Sequence, residues 1–503
     1  VAESIRSVPG ADTVIIEDGR IVELTRRGEV GNMDVSIHER AEILPAFTDS
    51  HIHPVGYAAL VSGTSVMGAE TLADLRDLLG TAAARTPSGR LVIAQRLDDT
   101  RLGRLPTRRD LDLAVPDRPT IVYRYCGHVA VVNTAALDLV GVGPDTPDPA
   151  GGSYDRDPDG VPTGVVREAA LDHVADSLAP LEPALEDDQV LAAMHGLAAL
   201  GIGHIGGIVA ATQGLWCGVG DELGILCRLA PDLPIDMDLM VIADDATALA
   251  EAQRRIDAAG SRLRFWGWKE FADGSLGGHT AAMHGPFTDL ATTGTLRLDS
   301  GHARTMARTA LELGGVAAIH AIGDRAVDET LDVFEGLVAE GTDSARLRVE
   351  HASVVTDAAL ARFAATGIVA SVQPAFLTSE ADWVPDRLGR DRPAYRFRAM
   401  AEAGVRMLGG SDCPVERPDP LLGVAAAVQR PGWDDDQNLT VDQAVDLFTA
   451  GPARHFERPE PLVPGSPADF VLVEGNLGEP AARVAATYFN GSPVDLRPVE
   501  WPG

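Results

Sequence analysis

Residues 44–53 read Leu-Pro-Ala-Phe-Thr-Asp-Ser-His-Ile-His, an apolar segment that ends in two histidines separated by one residue. Alternate side chains of a β-strand point to the same side, so a strand ending here would direct His51 and His53 toward one point. Two imidazoles with a shared direction can bind one metal ion. Taken alone, the pattern also fits two surface histidines at the end of a strand.

Three more candidate ligands follow apolar runs further along the chain. His320 ends the run Gly-Gly-Val-Ala-Ala-Ile, His351 ends Leu-Arg-Val-Glu, and Asp412 follows Val-Arg-Met-Leu-Gly-Gly-Ser. One isolated histidine at a strand end is usually a structural residue. Four histidines and an aspartate at strand ends are hard to explain as coincidence, and they predict a shared metal site.

Lysine is almost absent from the chain. Of the 42 Lys and Arg residues, Lys269 is the only lysine. A buried lysine amine can lose its proton and act as a nucleophile, whereas a guanidinium group stays charged. A neutral amine can add carbon dioxide to form a carbamate, whose two oxygens can bridge two metal ions. We therefore expect a carbamate on Lys269.

Apolar runs alternate with helical patterns through the middle of the chain, which predicts an α/β fold with a parallel sheet. At this length a (β/α)8 TIM barrel is favoured over an open sheet, and such barrels carry their active sites at the C-terminal ends of the strands. The runs that indicate strands are 91–95, 120–125, 235–242, 263–271, 316–321, 347–352, 368–373 and 405–411. The helical patterns are 72–85, 188–200, 246–259, 303–313, 326–339 and 357–365.

Both ends of the chain have a different texture, with short strand-like runs separated by turns. These runs are 13–17, 20–25, 33–38, 468–474 and 483–489. Neither end has enough apolar surface to fold alone, so residues 1–45 and 456–503 are predicted to form one small β-sandwich domain. The barrel then covers 46–455, with a Pro-, Gly-, Asp- and Arg-rich insertion over its mouth at about 97–165.

The formal net charge of −32 makes nucleic acid and anionic membrane surfaces poor partners, so a small-molecule substrate is expected. No apolar run approaches the roughly 20 residues that span a bilayer, and the first ten residues have neither a basic leader nor an apolar core. A cytoplasmic location is expected on these grounds. The four cysteines include no CxxC pair and predict no disulfide framework.

Several motifs resemble those of a known family. They follow one another over nearly the whole chain and include Pro-Ala-Phe-Thr-Asp-Ser-His-Ile-His-Pro (45–54), Lys-Glu-Phe-Ala-Asp-Gly-Ser-Leu-Gly (269–277), His-Ala-Ile-Gly-Asp-Arg-Ala (320–326), Glu-His-Ala (350–352) and Gly-Gly-Ser-Asp-Cys-Pro-Val (409–415). The chain resembles the amidohydrolase superfamily, specifically its YtcJ-like branch, also called the amidohydrolase 3 group.

The resemblance implies a role for each candidate ligand. His51 and His53 would bind the more buried metal, His320 and His351 the more exposed one, and carboxylated Lys269 would bridge them. Asp412 would bind metal and transfer the proton during hydrolysis of an amide-type carbon–nitrogen bond. Nitrogen and oxygen ligands favour zinc, as one or two ions. The resemblance also implies a homodimer.

Four further residues are candidates for substrate contact, although ordinary structural roles fit each of them as well: His128, Glu168, His279 and Asp324. Other chemistry also stays open, because the same centre could cleave an ester, a lactone or a cyclic imine. A non-catalytic scaffold on this fold would be expected to lack ligands, and here all six are present.

Overall fold

The structure, a computed structural model, describes residues 3–8, 12–26, 35–39, 41–211, 221–389, 392–433, 435–496 and 501. Within these residues the centre of the molecule is an eight-stranded parallel sheet, whose strands we number in chain order. They are β1 (Phe47–Ile52), β2 (Ile202–Ala210), β3 (Asp236–Ile242), β4 (Leu263–Phe271), β5 (Val316–Ala321), β6 (Leu347–His351), β7 (Val369–Val372) and β8 (Met407–Gly409).

The sheet curls until its edge strands, β1 and β8, meet. Just after β8, the backbone N–H of Asp412 donates to the carbonyl oxygen of His51 in β1, with an N···O distance of 2.7 Å. The N–H of Ser411 donates to the Asp49 carboxylate at 3.0 Å. All six residues of β5 are buried, as expected for a parallel strand covered on both faces. The predicted (β/α)8 barrel is confirmed.

Helices connect the barrel strands and cover their outer face, and each of the six predicted helical patterns is helical in the structure. Local sequence explains where they begin: Thr71 and Asp74, for example, form a reciprocal capping box at the start of Leu72–Arg85. The α-helices are Pro54–Ser62, Leu72–Arg85, Asp99–Leu102, Arg108–Asp112, Thr134–Val140, Ala169–Leu178, Asp187–Ala199, Glu222–Leu229, Ala246–Ala259, Ser300–Glu312, Asp324–Ala339, Asp357–Thr366, Phe376–Ser379, Val384–Leu388, Phe397–Glu402, Pro420–Gln429, Val441–Asp446 and Ala450–His455. Short 3-10 helices are Ala179–Leu181, Ala230–Asp232, Ser344–Arg346 and Asp435–Gln437.

Strand β2 is not among the predicted strands. Its sequence, Ile-Gly-His-Ile-Gly-Gly-Ile-Val-Ala, contains three glycines, which lower the propensity for strands. The structure shows why glycine is needed: a Cβ atom on Gly206 would lie 2.5 Å from the carbonyl oxygen of Ser50 in β1. Close approach of two barrel strands therefore outweighs the local preference of the sequence.

The chain termini form two four-stranded sheets beside the barrel. The first contains Glu3–Val8, Asp12–Glu17, Arg20–Arg26 and Val35–Glu39, and the second contains Ala41–Pro45, Phe470–Glu474, Arg483–Phe489 and Ser492–Pro493. Their shared core includes Val14, Ile16, Ile21, Ala41, Phe470 and Leu472. The predicted β-sandwich from both termini is confirmed, while residues 33 and 34 of one predicted strand lie outside the described residues.

A separate five-stranded sheet occupies the region predicted as the insertion. It extends slightly beyond the predicted limits of 97–165 and contains Val92–Leu97, Thr120–Arg124, Val129–Val132, Gly152–Arg156 and Pro162–Glu168. The runs 91–95 and 120–125, predicted among the alternating strands of the barrel region, belong to this sheet instead. They pair in parallel, with Val92 opposite Thr120, so their local pattern matches that of barrel strands.

No helix in the described part of the chain is long and apolar enough to cross a membrane. Cys126, Cys227 and Cys413 carry free thiols. Cys217 lies outside the described residues.

Candidate metal centre

The C-terminal ends of three barrel strands bring the four predicted histidines together. His51 lies near the end of β1, where His53 follows it, and His320 and His351 lie near the ends of β5 and β6. Ring centroids are 5.8 Å apart for His51 and His53, 4.8 Å for His51 and His351, and 4.4 Å for His320 and His351. All four side chains are buried.

Asp412 lies beside His51 and His53, two of these four histidines. Its Oδ1 lies 3.1 Å from His51 Nε2 and 3.4 Å from His53 Nε2, and candidate ligand atoms of the three residues lie within 4.8 Å of one another. Burial alone would raise the pKa of Asp412, but contacts with His51 and His53 hold it well below its ordinary value. Asp412 and His351 also have left-handed backbones, with φ of 56° and 71°. Strain of this kind concentrates at functional sites.

Hydrogen bonds orient three of the imidazoles through one ring nitrogen each. His51 Nδ1 lies 2.6 Å from Glu350 Oε2, His320 Nε2 lies 3.0 Å from the carbonyl oxygen of Gly274, and His351 Nδ1 lies 2.8 Å from Gln373 Oε1. The described residues offer no hydrogen bond to the other ring nitrogen of His320 or His351. This division is typical of metal-binding histidines, which need one nitrogen held and one lone pair available.

The protonation states suit the same role. Burial holds the pKa of His320 and of His351 well below the usual value, and repulsion from His128 and His320, respectively, adds to the effect. Burial also lowers the pKa of His53. These imidazoles are therefore neutral at neutral pH and carry the lone pair that a metal ligand requires.

Lys269 lies near the end of β4 and is 1% exposed. Its Nζ donates to the carbonyl oxygen of Glu270 at 3.0 Å and lies 3.6 Å from the centroid of the Phe271 ring. Burial lowers the pKa of Lys269 to about 8, although the charges of Glu350 and Asp412 oppose the change. The only lysine is thus buried near the C-terminal end of a barrel strand, with a larger share of neutral amine than a surface lysine has.

A buried ion pair supports the centre from below. Arg348 and Glu350 are both fully buried, and the guanidinium group contacts the carboxylate through Nε at 2.8 Å and Nη2 at 3.0 Å. Glu350 in turn contacts His51. Sequence reasoning did not single out this pair, although opposite charges two residues apart in an apolar strand were a usable signal.

Two more carboxyl groups were missed as supports. Asp273 accepts backbone N–H bonds from Ala282, Ile322 and Gly323 at 2.8 to 3.0 Å, and it lies 3.3 Å from His320 Nε2. Asp49 accepts from the N–H of His51 at 3.2 Å and joins β1 to the loop after β8 through Ser411. Both lie within the quoted motifs, but nothing local distinguished them from ordinary polar residues.

A small cavity opens at the centre, and His128 lines it together with His320 and Asp412. The His128 and His320 rings are 5.2 Å apart between centroids. Glu168 Oε2 lies 3.0 Å from His128 Nδ1 and accepts from Arg297 at 3.1 Å. The five-stranded sheet therefore supplies a histidine, backed by a carboxylate, to the mouth of the barrel.

Of the four candidate substrate contacts only His128 lines this cavity, and Glu168 lies behind it. His279 Nε2 lies 3.0 Å from the Asp289 carboxylate. Asp324 Oδ1 accepts from the N–H groups of His284 and Arg325, both at 2.9 Å, at the start of helix Asp324–Ala339. Neither side chain is among those that line the cavity.

Other cavity residues had no signal in the sequence. They come from the five-stranded sheet and from loops after β7 and β8, and they include Tyr125, Phe376, Glu380, Tyr395 and Glu416. Long segments of chain separate them, so no motif links them.

The donor set fits a divalent metal ion. Neutral imidazole nitrogens and an anionic carboxylate lie close together and buried, and this combination suits zinc and related transition metals. A cluster of acidic side chains alone would offer only oxygen ligands, whereas this site also offers imidazole nitrogens. The chemistry of the side chains thus agrees with their placement at the catalytic end of a barrel.

Comparisons with known proteins agree with this geometry. The model of the Amidohydrolase family matches residues 42–495. YtcJ of Bacillus subtilis (strain 168), an amidohydrolase by name, is 29% identical over 87% of this chain and 84% of its own length. The N-substituted formamide deformylase of Arthrobacter pascens is 26% identical over 88% of this chain and 85% of its own.

A solved structure is also similar. The crystal structure of an uncharacterized metal-dependent hydrolase from Pyrococcus horikoshii OT3 superposes with a TM-score of 0.72 and 27% identity, covering 95% of this chain and 97% of that one. The family match spans most of the chain, and the fold and buried histidines agree with it. This chain therefore belongs to the amidohydrolase family of metal-dependent hydrolases.

Proposed function

We propose that this protein hydrolyses an amide-type carbon–nitrogen bond of a small molecule. The observation that carries the proposal is the convergence of His51, His53, His320, His351 and Asp412 at the C-terminal end of the barrel. The similarity to a protein named for deformylating N-substituted formamides favours the carbon–nitrogen bond over other acyl bonds.

In this proposal the metal ligands are His51, His53, Lys269, His320, His351 and Asp412, and the metal is zinc, as one or two ions. Lys269 would serve as a carbamate: the neutral amine adds to carbon dioxide, forms an N–C bond and releases a proton to solvent. The lowered pKa of Lys269, about 8, supports this because it increases the fraction of neutral amine. Burial at 1% exposure supports it as well, because a carbamate needs protection from bulk water.

A bound divalent ion would lower the pKa of water from about 15.7 to about 7 and polarise the substrate carbonyl. The protein contributes the proton transfers. Asp412, held as a carboxylate by His51 and His53, would accept the proton of the attacking water and pass it to the leaving nitrogen. His128 would contact the substrate from the opposite wall, with Glu168 fixing its ring orientation.

A panel of substrates tests the proposal. Zinc-loaded protein is given N-formyl amines, N-acyl amines, cyclic amides and esters with matched acyl groups, and release of amine or alcohol is measured. Turnover of the amides that disappears in Asp412→Asn supports the proposal. Turnover of esters, lactones or cyclic imines alone would assign the same centre to different chemistry, and no turnover by metal-loaded protein would favour a non-catalytic scaffold. The cytoplasmic location, the homodimer and the lack of nucleic-acid partners remain predictions.

A further inference from the structure

An arginine of the barrel reaches the five-stranded sheet beside the metal centre. Arg297 follows β4 in the chain, and its backbone N–H donates to the carbonyl oxygen of Ala272, the first residue after β4, at 2.7 Å. Its guanidinium group donates through Nη1 to Glu168 Oε2 at 3.1 Å and through Nη2 to Asp172 Oδ2 at 2.9 Å. Arg297 thus joins the end of a barrel strand to the end of a strand in the other sheet.

Glu168 and His128 are held together by two contacts. The backbone N–H of Glu168 donates to the carbonyl oxygen of His128 at 3.0 Å, and Glu168 Oε2 lies 3.0 Å from His128 Nδ1. Glu168 has a left-handed backbone, with φ of 50°, where strand Pro162–Glu168 meets helix Ala169–Leu178. A non-glycine residue keeps this conformation only where its surroundings fix it. The carboxylate oxygen that contacts Arg297 is therefore the same one that contacts the His128 ring, and it is held in place.

The charge of Glu168 decides which ring nitrogen of His128 carries hydrogen. Glu168 is 2% exposed, and burial alone would raise its pKa, but His128 and Arg297 instead lower that pKa to about 2. The carboxylate is therefore ionised at neutral pH and can only accept, so Nδ1 of His128 carries a hydrogen. Without Arg297 this buried charge would lose its guanidinium partner, which favours the protonated carboxyl group. A protonated carboxyl group can donate to Nδ1, and the tautomer of His128 would then no longer be fixed.

The His128 ring lies against the metal centre. It lines the small cavity, and its centroid is 5.2 Å from that of the His320 ring. The Phe271 ring meets His128 edge-on, with centroids 6.5 Å apart, and the Arg297 guanidinium group lies 6.0 Å from the centroid of the same Phe271 ring. Arg297 is not among the described residues that line the cavity. Its contacts can therefore influence a bound substrate only through Glu168 and His128.

We infer that Arg297 is a positioning residue, which acts through Glu168 to fix the orientation and tautomer of His128 where that ring meets the substrate. The contact of His128 with substrate rests on the proposed function, but the control of its ring by Arg297 does not. An arginine that only fastened the sheet to the barrel would contribute to stability and leave the His128 ring unchanged. Turnover and spectroscopy therefore test the two ideas separately.

Turnover is measured in a double-mutant cycle of Arg297→Gln and His128→Gln, with zinc-loaded protein and an N-formyl amine that the native protein hydrolyses. We expect each single substitution to lower kcat/KM by about 10- to 100-fold, because a misplaced contact group slows the reaction. The double variant should be no slower than His128→Gln alone, since Arg297 acts through that ring. The matched control is Arg362→Gln, at an arginine that is also 23% exposed and paired with carboxylates, and it should keep kcat/KM within about twofold. Losses that multiply in the double variant, or an equal loss in Arg362→Gln, would overturn the inference.

Spectroscopy tests the positioning without turnover. Two-bond 1H–15N spectra of zinc-loaded protein with 15N-labelled histidine report which nitrogen of each ring carries hydrogen, and the His128 pattern is the one that His128→Gln removes. We expect hydrogen on Nδ1 in the native protein, in Arg362→Gln and in Asp172→Asn, which breaks only the other contact of Arg297, and a mixture of tautomers in Arg297→Gln.

Arg297→Lys, whose ammonium group lacks the planar fork, replaces Arg297→Gln if that variant does not fold, and it should shift the His128 pattern in the same direction. A native Nδ1 without hydrogen, or a pattern that substitution of Arg297 leaves unchanged, would refute the inference and leave the proposed function intact. If no N-formyl amine is hydrolysed while the His128 tautomer still depends on Arg297, the inference survives and the proposed reaction does not.

Discussion

The barrel contains two clusters of buried histidine and carboxylate side chains, one at each end of its parallel strands. The lower cluster consists of His204, Asp238, Arg264 and Arg458, the first three near the N-terminal ends of β2, β3 and β4. The metal-centre cluster lies at the C-terminal ends and consists of His51, His53, Lys269, His320, His351 and Asp412. Strand β4 belongs to both, because it carries Arg264 near one end and Lys269 near the other.

The lower cluster neutralises its own charge. Asp238 is fully buried and lies 3.1 Å from His204 Nε2, while Arg264 Nε donates to it at 2.8 Å and Arg458 at 3.4 Å. Burial alone would raise the pKa of Asp238, but Arg264 and His204 hold it well below its ordinary value. This carboxylate has cations within the protein and needs none from outside.

In the described part of the chain the metal-centre cluster has no such arginine partners. Within the described residues Asp412 contacts imidazoles and no arginine, and the single lysine is partly deprotonated near neutral pH. Burial keeps protons off the lone pairs of His320 and His351, which suits them to a metal ion that would complete the cluster. The difference teaches that histidine and carboxylate side chains indicate metal only where internal cations do not already satisfy them.

The largest expected effect on activity comes from a substitution of Lys269, near the C-terminal end of β4. Its control is a substitution of Arg264, near the N-terminal end of the same strand. Lys269→Arg keeps a positive charge but cannot form a carbamate, so we expect kcat/KM to fall by more than about 1,000-fold and bound metal to decrease. Steady-state kinetics and elemental analysis measure these losses. The matched control, Arg264→Lys, should keep kcat/KM within about twofold while lowering the unfolding temperature by a few degrees. Full activity of Lys269→Arg would refute the carbamate.

Substitution of Asp412, in the metal-centre cluster, should affect activity, whereas substitution of Asp238, in the lower cluster, should affect stability. Asp412→Asn should lower kcat by about 100- to 10,000-fold with little change in stability, because it removes a proton acceptor. Asp238→Asn should lower the free energy of unfolding by about 1–3 kcal/mol, because the partly exposed guanidinium groups of Arg264 and Arg458 lose their buried carboxylate partner, yet keep activity per folded molecule. Chemical denaturation and kinetics on both variants measure this contrast. An inactive but stable Asp238→Asn variant would break the division between the clusters.

The ion pair beneath the metal centre should have an intermediate effect. Glu350→Gln weakens the hydrogen bond that orients His51, so metal affinity should fall by about 10- to 100-fold. Competition with a chromogenic chelator measures the affinity. Glu335→Gln removes a carboxylate that pairs with Arg362 on the surface and should leave it unchanged. Equal affinities in the two variants would show that Glu350 serves only Arg348.

The smallest effect concerns Glu182, a buried carboxyl group in neither cluster. Both of its oxygens lack hydrogen-bond partners among the described residues, and burial, with repulsion from Glu222, raises its pKa to about 8. A raised pKa stabilises the fold below the ordinary value near 4.5, and this stability is lost as pH rises toward 8. Between pH 5 and pH 9 the unfolding temperature of the native protein should therefore fall by a few degrees more than that of Glu182→Gln. Parallel curves would show that Glu182 is ionised throughout.

Much of the fold could be predicted because it depends on local pattern. Strands β4 and β5 and helices Leu72–Arg85 and Ala246–Ala259 have the predicted bounds, since continuous apolar runs and capping residues specify them. Strand β2 was not predicted because its glycines, which allow close contact with β1, lower the local propensity for a strand. The runs 91–95 and 120–125 were placed with the barrel strands because parallel pairing has the same local pattern in either sheet.

The sequence by itself determined the chemistry of the centre: His-x-His after an apolar strand, histidines at two further strand ends, and one lysine that arginine had not replaced. These signals are local, because strand geometry directs side chains within a few residues. Only the tertiary structure decided which side chains support and surround the centre, including Glu350 behind His51, Glu168 behind His128, and Glu380 with Glu416 across the cavity. Their partners are distant in the chain, and hydrogen bonding and desolvation depend on distance in space, which no short stretch of sequence encodes.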